Sequence, residues 1–200
     1  MYKVLKRFVD ILLSIIALPF FGIIFLVLAP VIYFTDRGPI FYNAPRLGMN
    51  GKIFNIYKFR SMYVNAPDLR NADGSTYNGV DDPRVTKIGK IMRKTSLDEL
   101  PQLLNVLKGD MSIVGPRGFL TTKFKSLELL SEPERKRLMV RPGITGYSQA
   151  YFRNSISMDE KIKYDCYYVD HMSLLLDIKI IIQTAVSVLK HENIYINSGK

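Results

Sequence analysis

The stretch ILLSIIALPFFGIIFLVLAPVIYF, from Ile11 to Phe34, runs 24 residues without a charge, and 20 of them are apolar. The exceptions are Ser14, Pro19, Gly22 and Pro30. As a helix it would be about 36 Å long at about 1.5 Å per residue. That is enough for a bilayer core of about 30 Å. Core helices of soluble proteins seldom run so far without a charge, so a membrane segment is expected. The run is too long for a signal-peptide core, and Ala29-Pro30 is a poor cleavage site. Two helix breakers, Pro19 and Gly22, sit near its middle. Lys3, Lys6 and Arg7 precede the run, and Arg37, Arg46 and Lys52 follow it. Basic flanks mark the cytoplasmic side, so both ends are expected there. A re-entrant helix broken at Pro19 and Gly22 meets that condition better than a straight span.

Outward from this segment the chain changes character. Residues 1–35 read as a membrane anchor and residues 36–200 as one polar domain. The 200 residues suffice for a single globular domain. Hydrophobic residues at 48% and charged residues at 23% exclude a disordered or collagen-like chain. A single cysteine, Cys166, excludes an internal disulfide framework. With only His171 and His191 beside it, a cysteine- or histidine-rich metal site is not expected either. The net charge of +10 calls for a polyanionic partner: nucleic acid, an acidic membrane surface or phosphorylated substrates.

The fold class expected is α+β, mainly helical with a small β-ribbon. Ile40–Tyr42 and Lys52–Arg60 read as strands joined through the turn signal Asn50-Gly51. Residues 65–83 read as a loop. Arg84 to Lys94 holds five basic residues and no acid, with Arg84, Lys87, Lys90 and Lys94 near one helical face. Ser96 to Lys108 reads as a helix opened by a Ser96–Glu99 capping box, with Pro101 in its first turn and Gly109 as its stop. Leu174 to Lys190 is an apolar helix, read as core in preference to membrane surface.

Asp98-Glu99 is the conspicuous acidic pair. Acidic residues are common at helix starts, where each contributes about 0.3–1 kcal/mol, so the pair alone defines no site. Its company changes that. Lys58-Phe-Arg60, Gly115-Pro-Arg117 and Arg141-Pro-Gly143 each set a cation beside a rigid turn. Arginine so fixed suits bidentate phosphate binding. Two carboxylates, fixed cations and a membrane segment together indicate phosphate chemistry at a membrane.

Four blocks then resemble a known family: KFRSM (58–62), RKTSLDELPQLLNVLKGDMS (93–112), VGPR (114–117) and RPGITG (141–146). Together they are similar to the bacterial sugar transferases, small monotopic phosphoglycosyl transferases. The resemblance implies a monotopic protein with a re-entrant anchor at 1–35 and a catalytic domain at 36–200. It implies the minimal catalytic unit, with no further membrane helix or fused domain expected. The domain would face the cytoplasm at the bacterial inner membrane. It implies transfer of a sugar-1-phosphate from a UDP-sugar to undecaprenyl phosphate, with UMP released, as a first membrane step of glycan assembly. Asp98 matches the nucleophile of a ping-pong reaction and Glu99 its partner, both with Mg²⁺ as cofactor. Lys58, Arg60, Arg93, Arg117, Arg141 and Arg153 match phosphate-binding cations, and Asp165 a supporting acid. Inner-leaflet phospholipids and downstream glycosyltransferases are the further partners implied; nucleic acid is not expected. Gly118 stands where the family commonly has proline, Tyr147-Ser148 where it has Trp-Ala, and Phe152 where it has glycine. Gly22-Ile23 replaces a Ser-Pro, with the proline one turn earlier at Pro19.

The competing class is a non-catalytic, membrane-bound basic module for acidic lipid or nucleic acid. Its cations would cluster, whereas these are spread over separated turns, and no nucleic-acid motif is present. The topology is open to test. In a chain with Cys166→Ser, Lys3→Cys and Asn50→Cys should both escape an impermeant thiol reagent in intact cells and react after lysis. Labelling of one of the two in intact cells would establish a straight span.

Overall fold

The structure is a computed structural model that describes residues 2–69, 77, 79, 81–121 and 127–190. His191 and part of the expected 65–83 loop lie outside the described residues. The loop residues that are described form neither helix nor strand.

The apolar run folds into α1, Tyr2–Asp36, a 35-residue helix that includes Pro19 and Pro30. The break expected at Pro19 and Gly22 does not interrupt it. A proline removes one backbone donor, and here the turns on either side are held by packing. One face turns inward along the whole length, through Asp10, Ser14, Phe21, Leu28 and Ile32. These positions follow the helical period of three to four. The opposite face, including Phe8, Phe20, Ile23, Leu26 and Phe34, is exposed.

The expected ribbon is present. β1 (Phe41–Leu47) and β2 (Ile53–Phe59) pair antiparallel, from Phe41 opposite Phe59 to Leu47 opposite Ile53. A short turn, Met49–Gly51, joins them, with Asn50 left-handed at φ 56°. A second, parallel pair was not legible from periodicity: β3 (Ser112–Val114) beside β5 (Gly143–Thr145). Three residues are too few to show a period of two. Between them in the chain, β4 (Phe119–Leu120) adds to the other edge of β1.

α2 is Lys87–Thr95, and Thr86 caps it by accepting the Gly89 N–H. Arg84 therefore precedes the helix instead of joining its basic face. It is buried against Asp82 at 2.7 Å and donates to the Pro67 and Tyr77 carbonyls. The capping box at Ser96 does not form. Ser96 is left-handed at φ 58° and closes α2 with its N–H on the Arg93 and Met92 carbonyls. Leu97–Glu99 forms a single 3₁₀ turn, and α3 begins only at Gln102 and ends at Lys108. Pro101 explains the delay. It has no N–H for the Leu97 carbonyl, which accepts from Leu100 instead, at 3.2 Å.

After β4 come α4 (Glu132–Arg137), α5 (Tyr147–Tyr151), α6 (Met158–Asp170) and α7 (Leu174–Leu189). α7 is both core and surface. Asp177, Ile180 and Ser187 point inward, while Leu175, Ile178, Ile182 and Leu189 form an exposed apolar stripe.

Phe21, Leu28 and Ile32 of α1 share one core with Phe59, Met92 and Leu103. Phe25, Phe41 and Phe59 stack within it at 5.6–6.3 Å. A second cluster joins Ala44, Phe54 and Ile56 of the sheet to Val106 of α3. Asn105 completes that joint. β2 is an edge strand, and its outward backbone groups need partners. The Asn105 side chain accepts the Tyr57 N–H at 2.9 Å and donates to the Asn55 carbonyl at 2.8 Å. Asn105→Ala should therefore lower stability by about 1–3 kcal/mol, since it strands a buried donor and acceptor. Urea unfolding in detergent micelles measures this.

Candidate active site

The site is assembled around the 3₁₀ turn. Period two on β2 puts Lys58 on the face of Phe54 and Ile56, which is the face α3 covers. Its amine therefore reaches back to the turn before α3. It bonds Glu99 Oε1 and lies 4.0 Å from Asp98 Oδ2. Arg117 Nη2 approaches the same Glu99 oxygen at 3.4 Å. Arg153, at positive φ 49°, donates to the Ser96 hydroxyl at 3.1 Å and the Ser187 carbonyl at 3.3 Å. Arg93 holds the Ser61 hydroxyl at 3.0 Å.

The two carboxylates differ. Glu99 carries the shorter Lys58 contact and the Arg117 contact, while Asp98 meets Lys58 only at 4.0 Å. Asp98 is 9% exposed, and among the described residues it makes no hydrogen bond. Burial raises the Asp98 carboxyl above its ordinary value; Lys58 pulls it down and the Glu99 charge pushes it up again. Burial also acts to raise Glu99, but Lys58 and Arg117 outweigh it and hold that carboxyl at about 2. At neutral pH Glu99 is thus the fixed anion of the pair. Asp98 is the carboxylate whose oxygens are uncommitted.

The loop that carries Arg117 is fixed by its neighbours. A Cβ on Gly115 would strike the Arg141 carbonyl, and one on Gly143 would strike the Gly115 nitrogen. GPR and RPGITG are therefore two turns in mutual contact. Beneath them Asp165 pairs with Arg137 at 2.7 Å and accepts the Ser148 hydroxyl at 2.7 Å. Arg137 donates to the Arg117 carbonyl at 3.0 Å. The Arg117 carbonyl is thus held by one member of a buried ion pair.

The sequence profile of the family described as bacterial sugar transferase matches residues 1–191. The chain belongs to that family. Among curated relatives, a galactosyl transferase of Streptococcus agalactiae is 44% identical over 94% of this chain and 43% of its own length. A sugar transferase of Bacillus subtilis is 42% identical over 96% of this chain and 90% of its own. An undecaprenyl-phosphate galactose phosphotransferase of Salmonella typhimurium is 38% identical over 96% of this chain. Of that Salmonella protein, as of the Streptococcus one, the chain spans less than half the length.

In this family member, Lys58, Arg93, Arg117 and Arg153 gather about Asp98 and Glu99. Two of the cations expected there do not. Arg60 is engaged throughout its guanidinium, with both Asp36 oxygens at 2.6 Å and the Pro39, Met62 and Ile32 carbonyls. It closes the end of α1 and has no donor left for phosphate. Arg141 lies at the far end of α3, with Nε on the Gly109 carbonyl at 2.8 Å. Asp165 stands behind Arg117, outside the cluster of cations. Sequence reading overlooked Lys161, a half-buried amine on α6 whose pKa is lowered by burial and by the Arg117 charge. It also overlooked Arg137, which reads as one cation in the surface run Glu132–Arg137. The Lys161–Asp165 spacing of one helical turn is the signal that would have found this face of α6.

The acid limb of the transferase's pH profile should follow Asp98. A carboxyl with a raised pKa loses its charge first as pH falls, so activity should decline at a higher pH than an ordinary carboxylate would give. Lys58→Gln removes the cation that opposes this protonation, so the limb should move to higher pH and maximal kcat/KM should fall. The pH dependence of kcat/KM for the free enzyme checks it. A limb that stays in place would detach Lys58 from Asp98.

Proposed function

We propose that this protein transfers a sugar-1-phosphate from a UDP-sugar to undecaprenyl phosphate and releases UMP, through a covalent intermediate on Asp98. The observation that carries the reading is the asymmetry of the pair: Glu99 bound by two cations, Asp98 buried beside them and without a hydrogen bond among the described residues. Membership of the family and the reaction named for the Salmonella relative support it.

In the first half-reaction an Asp98 oxygen attacks the sugar-bearing phosphorus. The bond from that phosphorus to the bridging oxygen breaks, and UMP leaves with the electron pair. In the second, a phosphate oxygen of undecaprenyl phosphate attacks the same phosphorus. The bond to Asp98 breaks, and the carboxylate is restored. A carboxylate is a competent covalent nucleophile when positioned and partly desolvated. Its approach to a diphosphate is opposed by charge, which Lys58, Arg93, Arg117 and Arg153 offset. Lys58 and Arg117 also keep Glu99 ionised and fixed.

The donor set fits Mg²⁺. Two adjacent carboxylates are too few for an all-protein cage, but Mg²⁺ characteristically takes one or two carboxylates together with substrate phosphate oxygens and water. Asp98 and Glu99 would hold it. When bound, it neutralises the diphosphate.

We also place the protein at the cytoplasmic face of the bacterial inner membrane, with both ends of α1 on that side and its apolar outer face against the leaflet. What supports this is the fastening of α1 at both ends. Lys6 reaches Asp177 at 3.0 Å and Arg7 the Val106 carbonyl at 2.7 Å, while Asp36 is held by Arg60. The outer face of α1 and the exposed stripe of α7 then meet the leaflet.

Asp98→Asn should cut UMP release from UDP-sugars by about 10³-fold or more, roughly 4 kcal/mol of barrier, with an unchanged melting temperature. EDTA should stop the wild-type reaction and Mg²⁺ restore it. An Asn variant within about tenfold of wild type would remove Asp98 as nucleophile.

A further inference from the structure

A second concentration of positive charge lies away from the dyad, at the opposite end of α3. It surrounds a cavity of about 80 Å³ between the first turns of α1, β3 and the chain around Arg141. Lys3, Lys6, Arg7 and Arg141 line it, against a single carboxylate, Asp10. That carboxylate is already committed. It accepts the Ser112 hydroxyl at 2.8 Å and the Ile113 N–H at 3.0 Å, with Lys6 at 3.8 Å. Lys6 is further held by Asp177, so the charge left over belongs to Lys3, Arg7 and Arg141.

Among the described residues, neither arginine lies within ion-pairing distance of a carboxylate. Both meet only neutral carbonyls at the C-terminal end of α3. Arg7 donates to Val106 and Leu107 at 2.7 and 3.2 Å, and Arg141 donates through Nε to Gly109 at 2.8 Å. A guanidinium has five N–H groups, so Arg141 leaves its two terminal nitrogens unspent. The two guanidiniums are close enough to oppose each other: burial and then the Arg141 charge push Arg7 below its ordinary pKa, and the Asp10 charge offsets this only in part. Like charges left facing one cavity make a site for an anion.

The rest of the lining narrows the class of anion. Met49, Met139 and Met172 border the cavity, and Met139 is 63% exposed. Methionine adapts its shape to flexible apolar ligands. Lys3, Lys6 and Arg7 belong to the turns of α1 that lead into its apolar run, where headgroups would lie. Charge for a phosphate thus sits beside apolar surface for what the phosphate is attached to.

We propose that this cavity is a second anion site, which binds a phosphate group and thereby pins the start of α1 to the end of α3. The ligand is a lipid headgroup phosphate or a free phosphate, which present the same oxygens. The lipid source rests on the membrane placement of α1; the site itself does not, and it is independent of the transfer reaction.

The test uses the full chain in non-ionic detergent, titrated with dihexanoylphosphatidylglycerol or with inorganic phosphate, and read by the melting temperature. Met139→Glu puts an opposing charge at the exposed rim without touching an existing side-chain hydrogen bond. Met139→Gln is its neutral control, and Lys3→Gln removes a cation that forms no ion pair among the described residues. Wild type and Met139→Gln should show a saturable rise. Met139→Glu should need at least about tenfold more ligand, and Lys3→Gln several-fold more. A rise with the lipid alone identifies a headgroup site, and an equal rise with inorganic phosphate identifies a free-phosphate site. No saturable rise with either, or equal titrations of wild type and Met139→Glu, would overturn the proposal. Flotation with neutral phosphatidylcholine vesicles reports the membrane placement separately. It should be the same for all four proteins, and loss of flotation in wild type would count against that placement and not against the cavity.

Discussion

Two adjacent carboxylates held largely out of water set the terms for the rest of this molecule. Left alone, Asp98 and Glu99 would repel each other, and burial would protonate both. They remain useful as anions only because cations from four separate segments converge on them: Lys58 from β2, Arg93 from α2, Arg117 from a loop and Arg153 after α5. Each arrives by a different backbone device. Strand alternation aims Lys58. The left-handed Ser96 turns the chain between Arg93 and the dyad. Close glycines lock the Arg117 loop, and Arg153 itself sits at positive φ.

The short helix α3 connects this chemistry to the anchor. The dyad precedes its N-terminal end. Arg7 of α1 and Arg141 hold the carbonyls of its C-terminal end, and Asn105 fastens its side to β2. α1 and α3 are therefore joined directly, because Arg7 bonds the last turn of α3.

Much of this was legible in the sequence, and the reasons are specific. The apolar run from Ile11 was readable because helices of water-soluble proteins rarely go 24 residues without a charge. The β1–β2 ribbon was readable because Asn50-Gly51 marks the turn and Lys52–Arg60 alternates. The dyad, Lys58, Arg93 and Arg117 were readable because each lies in a short contiguous motif, and Arg153 through the family resemblance. Most of what failed depends on contacts between distant residues, and one case on a nearby proline. Arg60 and Arg117 look alike beside their turns, yet Asp36 claims the first and Glu99 attracts the second. Ser96 and Glu99 have the spacing of a capping box, but Pro101 withholds the N–H that a regular helix needs. The β3–β5 pair joins segments about thirty residues apart, with no local pattern to announce it.

The inner face of α1 gives the anchor a second identity. Phe21, Leu28 and Ile32 form half of the buried cluster completed by Phe59, Met92 and Leu103. The anchor is thus a wall of the enzyme and not a detachable tether. Cutting it away to obtain a water-soluble fragment would open the core directly beneath Lys58 and the dyad. It also puts one helix under two constraints. Its outward positions are exposed, whereas Phe21, Leu28 and Ile32 must keep the shape of the interior they fill.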